Sequence, residues 1–118
     1  MTAPLTDVTV RQAEPGDEAQ VLELIEAALG RRPDPRNADF YHWKHRDNAF
    51  GPSPTWVAVD GTRVVGLRTM MRWEFHTPSG PARAVRAVDT ATHPDYQGRG
   101  IFSALTMRAV DELRAEGV

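Results

Sequence analysis

The sequence predicts an α/β domain: a mixed, mainly antiparallel sheet flanked by helices, in the order β-α-α-β-β-β-α. Three observations predict it. Apolar residues recur at helical spacing between residues 17 and 30 and again from residue 101, but at strand spacing between residues 55 and 92. The strand-like region is cut by two turn signals, Asp60-Gly61 and "TPSGP". Two glycines, Gly98 and Gly100, stand where the last strand meets the last helix. Four strands are expected in chain order, with the first two helices on one face and the last helix on the other. A chain of 118 residues is one domain by length, able to bury roughly two-thirds of its unfolded surface.

The elements follow in order. "VTVRQA", Val8 to Ala13, alternates as a short strand. Asp17 is positioned to cap a helix, with Gln20 three residues on to complete a capping box. Val21, Leu24, Ile25 and Ala28 make that helix's apolar stripe, and Gly30 stops it. After the loop "RRPDPR", Asn37 is the expected cap of a second helix, "ADFYHWKHRD". Phe40, Trp43 and Lys44 share one face of it and Tyr41 and His45 the next; the aromatics are expected in the core. Pro52 and Pro54 forbid continuation. "TWVAV", Thr55 to Val59, is the second strand. "TRVVGLRTMMRWEFH" is a long third strand, with Val65, Leu67, Met71, Trp73 and Phe75 on an apolar face and Arg68, Arg72, Glu74 and His76 on a polar one. "ARAVRAVDTAT", Ala82 to Thr92, is the fourth. The last helix runs from Ile101 to about Glu116, with Phe102, Leu105, Ala109, Val110 and Leu113 inward. Gly117-Val118 reads as a helix end followed by the first residue of a further strand.

Composition narrows the function classes. A net charge of −2 gives no broad attraction to nucleic acid or anionic membrane. The absence of cysteine excludes disulfides and thiolate metal sites. The N-terminal "MTAPLTDVTV" lacks the pattern of a signal peptide, and no apolar run approaches a membrane span. The expectation is a soluble, cytoplasmic protein with neither nucleic acid nor membrane as partner. Of 14 cationic residues only Lys44 is a lysine.

"HPDYQGRGIFSAL", His93 to Leu105, carries the chemistry. Bare backbone at a helix start is an anion site: the first N–H groups have no intrahelical acceptor, and the helix dipole favours negative charge. The dinucleotide pattern does not fit, because Gly98 and Gly100 lack the third glycine, and the Walker Gly-Lys-Ser/Thr is absent. The pattern Gln/Arg-x-x-Gly-x-Gly/Ala fits Gln97, Gly98, Arg99, Gly100, Ile101 and Phe102 in five of six positions. With "THPDYQGRGIFSAL" and the element order, the chain resembles the first half of the GNAT superfamily of N-acetyltransferases, from residue 8 to 117. Phe102 departs from the common Gly or Ala. Together with "FYHWKHRDN" it is similar to the branch of the enhanced-intracellular-survival acetyltransferase. The resemblance implies a single GNAT-like domain, 1–118, supplying the half that binds acetyl-CoA. It implies that Gln97, Gly98, Arg99, Gly100, Ile101, Phe102 and Ser103 hold the pyrophosphate of the cofactor. The backbone of Thr90, Ala91 and Thr92 would hold the pantetheine arm and the thioester carbonyl.

Acetyl transfer to an amine needs a base for the amine, polarisation of the carbonyl and a proton for the leaving thiolate. Asp89 and Glu74 are the candidate bases, each with a bland alternative. Glu74 reads equally as a cross-strand ion pair with Arg86. Asp89, on the parity of Val85 and Ala87, reads equally as a buried structural carboxylate. The family's tyrosine acid follows a fifth strand; Tyr41 and Tyr96 do not match it, so no acid is assigned. His42 and His45 lack a third ligand for a metal. The resemblance leaves open a non-catalytic coenzyme A-binding sensor or scaffold. The acceptor is a small-molecule or peptide amine of unknown identity. The fourth strand is expected to leave an open edge from Val85 to Thr92 and to invite homo-oligomers.

Overall fold

The computed structural model describes residues 8–118. Its elements are β1 (Val8–Gln12), α1 (Glu18–Leu29), α2 (Pro35–His45), β2 (Thr55–Asp60), β3 (Arg63–Thr77), β4 (Gly80–Thr92) and α3 (Ile101–Ala115), with one-turn helices at Pro15–Asp17 and Pro94–Tyr96. The four strands lie in the order β1-β2-β3-β4, each pair antiparallel. Among the described residues no helix is long and apolar enough to cross a membrane.

Two cores share the sheet. On one face Val21, Leu24 and Ile25 of α1 pack on Val57, Val59, Val64, Leu67 and Ala91, joined by Tyr41 of α2. On the other, Ile101, Leu105, Ala109 and Leu113 of α3 pack on Trp56, Ala58, Val65 and Met70. Burying each large side chain contributes about 1.5–3 kcal/mol. Helix α3 comes close at Gly66, where a Cβ would stand 2.8 Å from Ile101 Cγ2 and 3.1 Å from Leu105 Cδ1. Glycine is what lets the helix settle there.

The helix starts differ from expectation. Asp17 holds the N-cap position of α1 as expected, but its side chain makes no capping bond there and no box with Gln20. Its carboxylate accepts from Glu14 N at 2.7 Å and from Arg11 at 2.7 and 3.0 Å, while Gln20 ties β3 down through Val64 N and Thr62 O. Helix α2 starts earlier, at Pro35. Asp34 caps it, accepting from Arg36 N at 2.8 Å, and proline suits the first helical position. Asn37 reaches instead to Glu26 and the Arg32 carbonyl.

The aromatics of α2 are not core. Phe40 and Trp43 are 46% and 67% exposed; only the Tyr41–His45 face turns to the sheet. Trp73 and Phe75 are also exposed, because the β3–β4 hairpin runs beyond the helices that cover its other end. Phe102 is half exposed, and Ile101 takes the inward position. Arg68, placed on the polar face of β3, is buried at 6% exposure, because that face lies beneath α3.

Candidate functional site

The end of β4 and the start of α3 enclose a groove of about 400 Å³. It is lined by Thr90, Ala91, Thr92, Gln97, Gly98, Gly100, Ile101, Phe102 and Ser103, and also by Tyr96. Antiparallel pairing of β4 with β3 brings Thr92 opposite Gly66. The turn at Pro94–Tyr96 then reverses the chain, and His93 N donates to Val65 O at 2.8 Å. Tyr96 anchors this turn by donating its hydroxyl to Asp60.

Gly98 and Gly100 have φ of +76° and +80°, a region that costs an ordinary side chain roughly 1–2 kcal/mol. A Cβ on either would meet nothing within 4 Å; both α-carbons face open space. The N–H groups of Gly98, Gly100, Ile101, Phe102 and Ser103 find no acceptor among the described residues. Open space, bare backbone and unsatisfied donors at a helix start together fit a bound diphosphate.

The side chains around the groove have other work. Gln97 Nε2 donates to the Thr92 carbonyl at 3.1 Å, closing the loop. Arg99 is the nominated residue that does not line the groove. Its Nη2 donates to the Asp95 carbonyl at 2.5 Å and its guanidinium lies 4.8 Å from the Tyr96 ring centre. Phe102 stands on the groove wall, with the Arg68 guanidinium 4.6 Å from its ring centre.

A second cluster lies on the α1/α2 face. Asp89 has φ +45° and sits where β4 slips register: Val88 faces Thr69 but Ala91 faces Leu67. This bulge reverses the parity expected for Asp89. Val85 packs with the α3 core and Ala91 with the α1 core, so Asp89 does not share the face of Val85 but turns to α2. There it accepts from Lys44 Nζ at 2.9 Å and lies 2.6 Å from His45 Nε2. His45 is nearly fully buried, and its Nδ1 lies 2.9 Å from Ser53 Oγ. The hydrogen bond from His45, reinforced by Lys44, holds the Asp89 carboxyl at about 2, against an opposing push from burial. Tyr41 packs on His45 with ring centres 4.8 Å apart, and burial pushes its hydroxyl pKa up. Tyr41, His45 and Ser53, with Glu18 and Thr55, line a separate cavity of about 460 Å³.

Glu74 is remote from both. It stands opposite Arg83, not Arg86, which faces Met71; the turn closes between Thr77 and Gly80 and fixes that register. His42 contacts Glu18 while His45 contacts Asp89, so the two rings serve different carboxylates. His45, Ser53, Lys44, Tyr96 and Arg68 all escaped the sequence reading as site residues. His45 and Tyr96 were weighed for other roles, as a metal ligand and as an acid; Lys44 stood out as the lone lysine.

Residues 9–118 match the family model described as an acetyltransferase (GNAT) domain. No curated protein sequence matches the chain. Among solved structures it is similar to a protein from Enterococcus faecalis V583 described as a probable N-acyltransferase. The TM-score is 0.79, with 14% identity over 94% of this chain and 27% of that one. A predicted acetyltransferase from Clostridium acetobutylicum, solved with acetyl-CoA, gives 0.70 and 17% identity, over 94% of this chain and 76% of that one. An aminoglycoside acetyltransferase from an uncultured soil metagenomic sample, in complex with sisomicin, gives 0.72 and 18%, over 95% and 73%. At these identities the likeness is one of fold. The chain thus spans about a quarter of the enterococcal protein and about three-quarters of the other two.

Proposed function

The chain belongs to the GNAT acetyltransferase family, and from that premise we propose that its groove binds acetyl-CoA for transfer of the acetyl group to a primary amine. Residues 1–118 are taken as one domain, the N-terminal, cofactor-binding part of such an enzyme. The carrying observation is the coincidence of pattern and space: every residue nominated from the motif except Arg99 lines one groove. Gly98, Gly100 and the first N–H groups of α3 would hold the diphosphate, and the Thr90 to Thr92 backbone the pantetheine arm. Bound acetyl-CoA would supply the activated acetyl group. Phe102 and the string from Phe40 to Asn48 support assignment to the branch of the enhanced-intracellular-survival acetyltransferase.

On this reading the acceptor amine enters from the α1/α2 side, through the cavity lined by Glu18, Tyr41, His45 and Ser53. Asp89 is proposed as the anchor of the bulge rather than as a base, since a carboxyl held at about 2 has little affinity for a proton at neutral pH. Glu74, on the outer hairpin, is proposed as a cross-strand partner of Arg83. A second reading, a coenzyme A-binding sensor or scaffold without turnover, draws on that same lack of a free base.

Calorimetric titration with coenzyme A tests the cofactor site. Gly100→Val places a branched side chain at φ +80° and into the open cradle; it is expected to weaken binding by at least about tenfold, the loss of backbone donors to an anion. Arg99→Ala is expected to cost about fivefold or less, as partly exposed charge contacts do. Equal binding by wild type and a folded Gly100→Val would remove the cradle, leaving the glycines as a turn.

A further inference from the structure

Arg68 is a charge in a place where charges are scarce. It projects from β3 beneath α3 and is 6% exposed. Its Nε and Nη2 donate to Thr106 Oγ1 at 3.2 and 3.1 Å. Thr106 Oγ1 donates in turn to the Phe102 carbonyl at 2.9 Å. Among the described residues no carboxylate pairs with Arg68. Buried cations are ordinarily paired, because an uncompensated charge loses its hydration with nothing in return. Burial accordingly pushes the guanidinium pKa down from its ordinary value.

The location gives that uncompensated charge a use. Phe102 is 52% exposed and forms groove wall beside Gly98 and Gly100, with the Arg68 guanidinium against its ring. One aromatic ring therefore separates the groove from a buried positive charge. The start of α3 contributes a partial positive charge to the same space. Arg99, the charge that the motif offers, is engaged with Asp95 and Tyr96 instead.

We propose that Arg68 is the positioning residue of the groove: it fixes Phe102 as the wall and supplies from behind it the positive field that a diphosphate ester at the start of α3 neutralises. The proposal rests on the cofactor reading above. Aromatic and backbone atoms screen weakly compared with water, so a fixed charge one ring away acts on a bound anion. Phe102 sets the distance of approach; a Gly or Ala in its place would open the guanidinium to the groove.

The test titrates the full chain with two probes, coenzyme A and pantetheine, the second lacking every phosphate. Arg68→Met keeps length and removes charge. It is expected to weaken coenzyme A about tenfold, the size of one charge acting across a poorly screening layer, and to leave pantetheine unchanged. Arg68→Lys keeps the charge but loses the planar stack; it is expected to stay within about threefold of wild type for coenzyme A. A folded Arg68→Met with wild-type affinity for coenzyme A overturns the proposal. So does an equal loss for both probes, which would make Arg68 a packing residue. Should Arg68→Met fail to fold, Phe102→Ala decides. It brings the charge nearer and is expected to tighten coenzyme A relative to pantetheine; an equal change in both overturns the field. Wild-type protein that binds neither probe fails the cofactor reading itself, and the inference with it.

Discussion

Replacing Asp89 with asparagine removes one charge and little else. Asparagine tolerates positive φ as aspartate does, so the bulge at φ +45° is not itself disturbed. What is lost is the attraction of the carboxylate to His45 and Lys44, at 2.6 and 2.9 Å. A carboxyl lowered from 3.8 to about 2 carries roughly 2 kcal/mol of preference for its charged form in the folded chain. The Asp89 side chain is 10% exposed, so water screens little of this. Asp89→Asn is therefore expected to lower stability at pH 7 by about 2 kcal/mol, and the melting temperature on the order of 10 °C. The pH dependence fixes the cause. The folded pKa lies below the unfolded one, so the contribution is complete above about pH 5. It declines as pH falls through 3.8 and then through about 2, and is gone only near pH 1, where both states bind the proton. Wild-type and Asp89→Asn melting curves, followed by circular dichroism, should differ at pH 7, draw together by pH 2 and converge near pH 1. Equal stability at pH 7, or a gap that is undiminished at pH 2, would refute the ion-pair account of Asp89.

Gly66→Ala is expected to destabilise by about 1–3 kcal/mol, measured by urea unfolding, because its Cβ would stand 2.8 Å from Ile101 Cγ2. Stability equal to wild type would mean that α3 does not approach as described. Asp34→Ala removes the cap on Arg36 N and is expected to cost about 1 kcal/mol, whereas Asn37→Ala should cost less at the helix start; the reverse order would restore Asn37 as the cap. We further propose that the outer edge of β4, which among the described residues pairs only with β3, associates with a second copy through residues 85–92. Sedimentation showing a monomer across the working concentration range would remove that partner.

The layout was legible in the sequence because each of its signals is local. Asp60-Gly61 introduces the β2–β3 hairpin, although Gly61-Thr62 forms the actual loop between Asp60 and Arg63. Gly30 ends α1 at φ +67°. Val21, Leu24, Ile25, Leu105, Ala109 and Leu113 fell on buried faces by period alone, whereas Ile101 took the inward place expected of Phe102. The errors came where local choices compete. Asp17 and Asn37 are good caps by type, yet Asp17 had a cation six residues upstream in Arg11, and Asp34 stood next to a proline suited to the first helical turn.

The site was legible only along the backbone. Gly98 and Gly100 announce their geometry, because positive φ and close approach select glycine. The side chains that surround them do not. Strand parity assigns Asp89 to the face of Val85, but one extra residue in the β4 ladder turns it to the opposite face, and in "AVDTAT" only the tolerance of aspartate for positive φ hints at that slip. Parity likewise puts Arg68 on the face of Arg72 and Glu74, which reads as polar, but near Arg68 that face carries Met70 into the core beneath α3. Both failures have one physical origin: period tells which residues share a face, while burial depends on what covers that face. Asp89 finds its partners His45 and Lys44 at 44 and 45 residues upstream, and Arg68 its hydroxyl 38 residues downstream. Separations of that length carry no sequence signature. Yet they place one charged side chain on each face of the sheet, an anion of β4 anchored by α2 and a cation of β3 held under α3. The strand that carries Thr90 to Thr92 into the groove is thus tied to α2 just before it enters, while Arg68 holds the start of α3 on the groove's other wall.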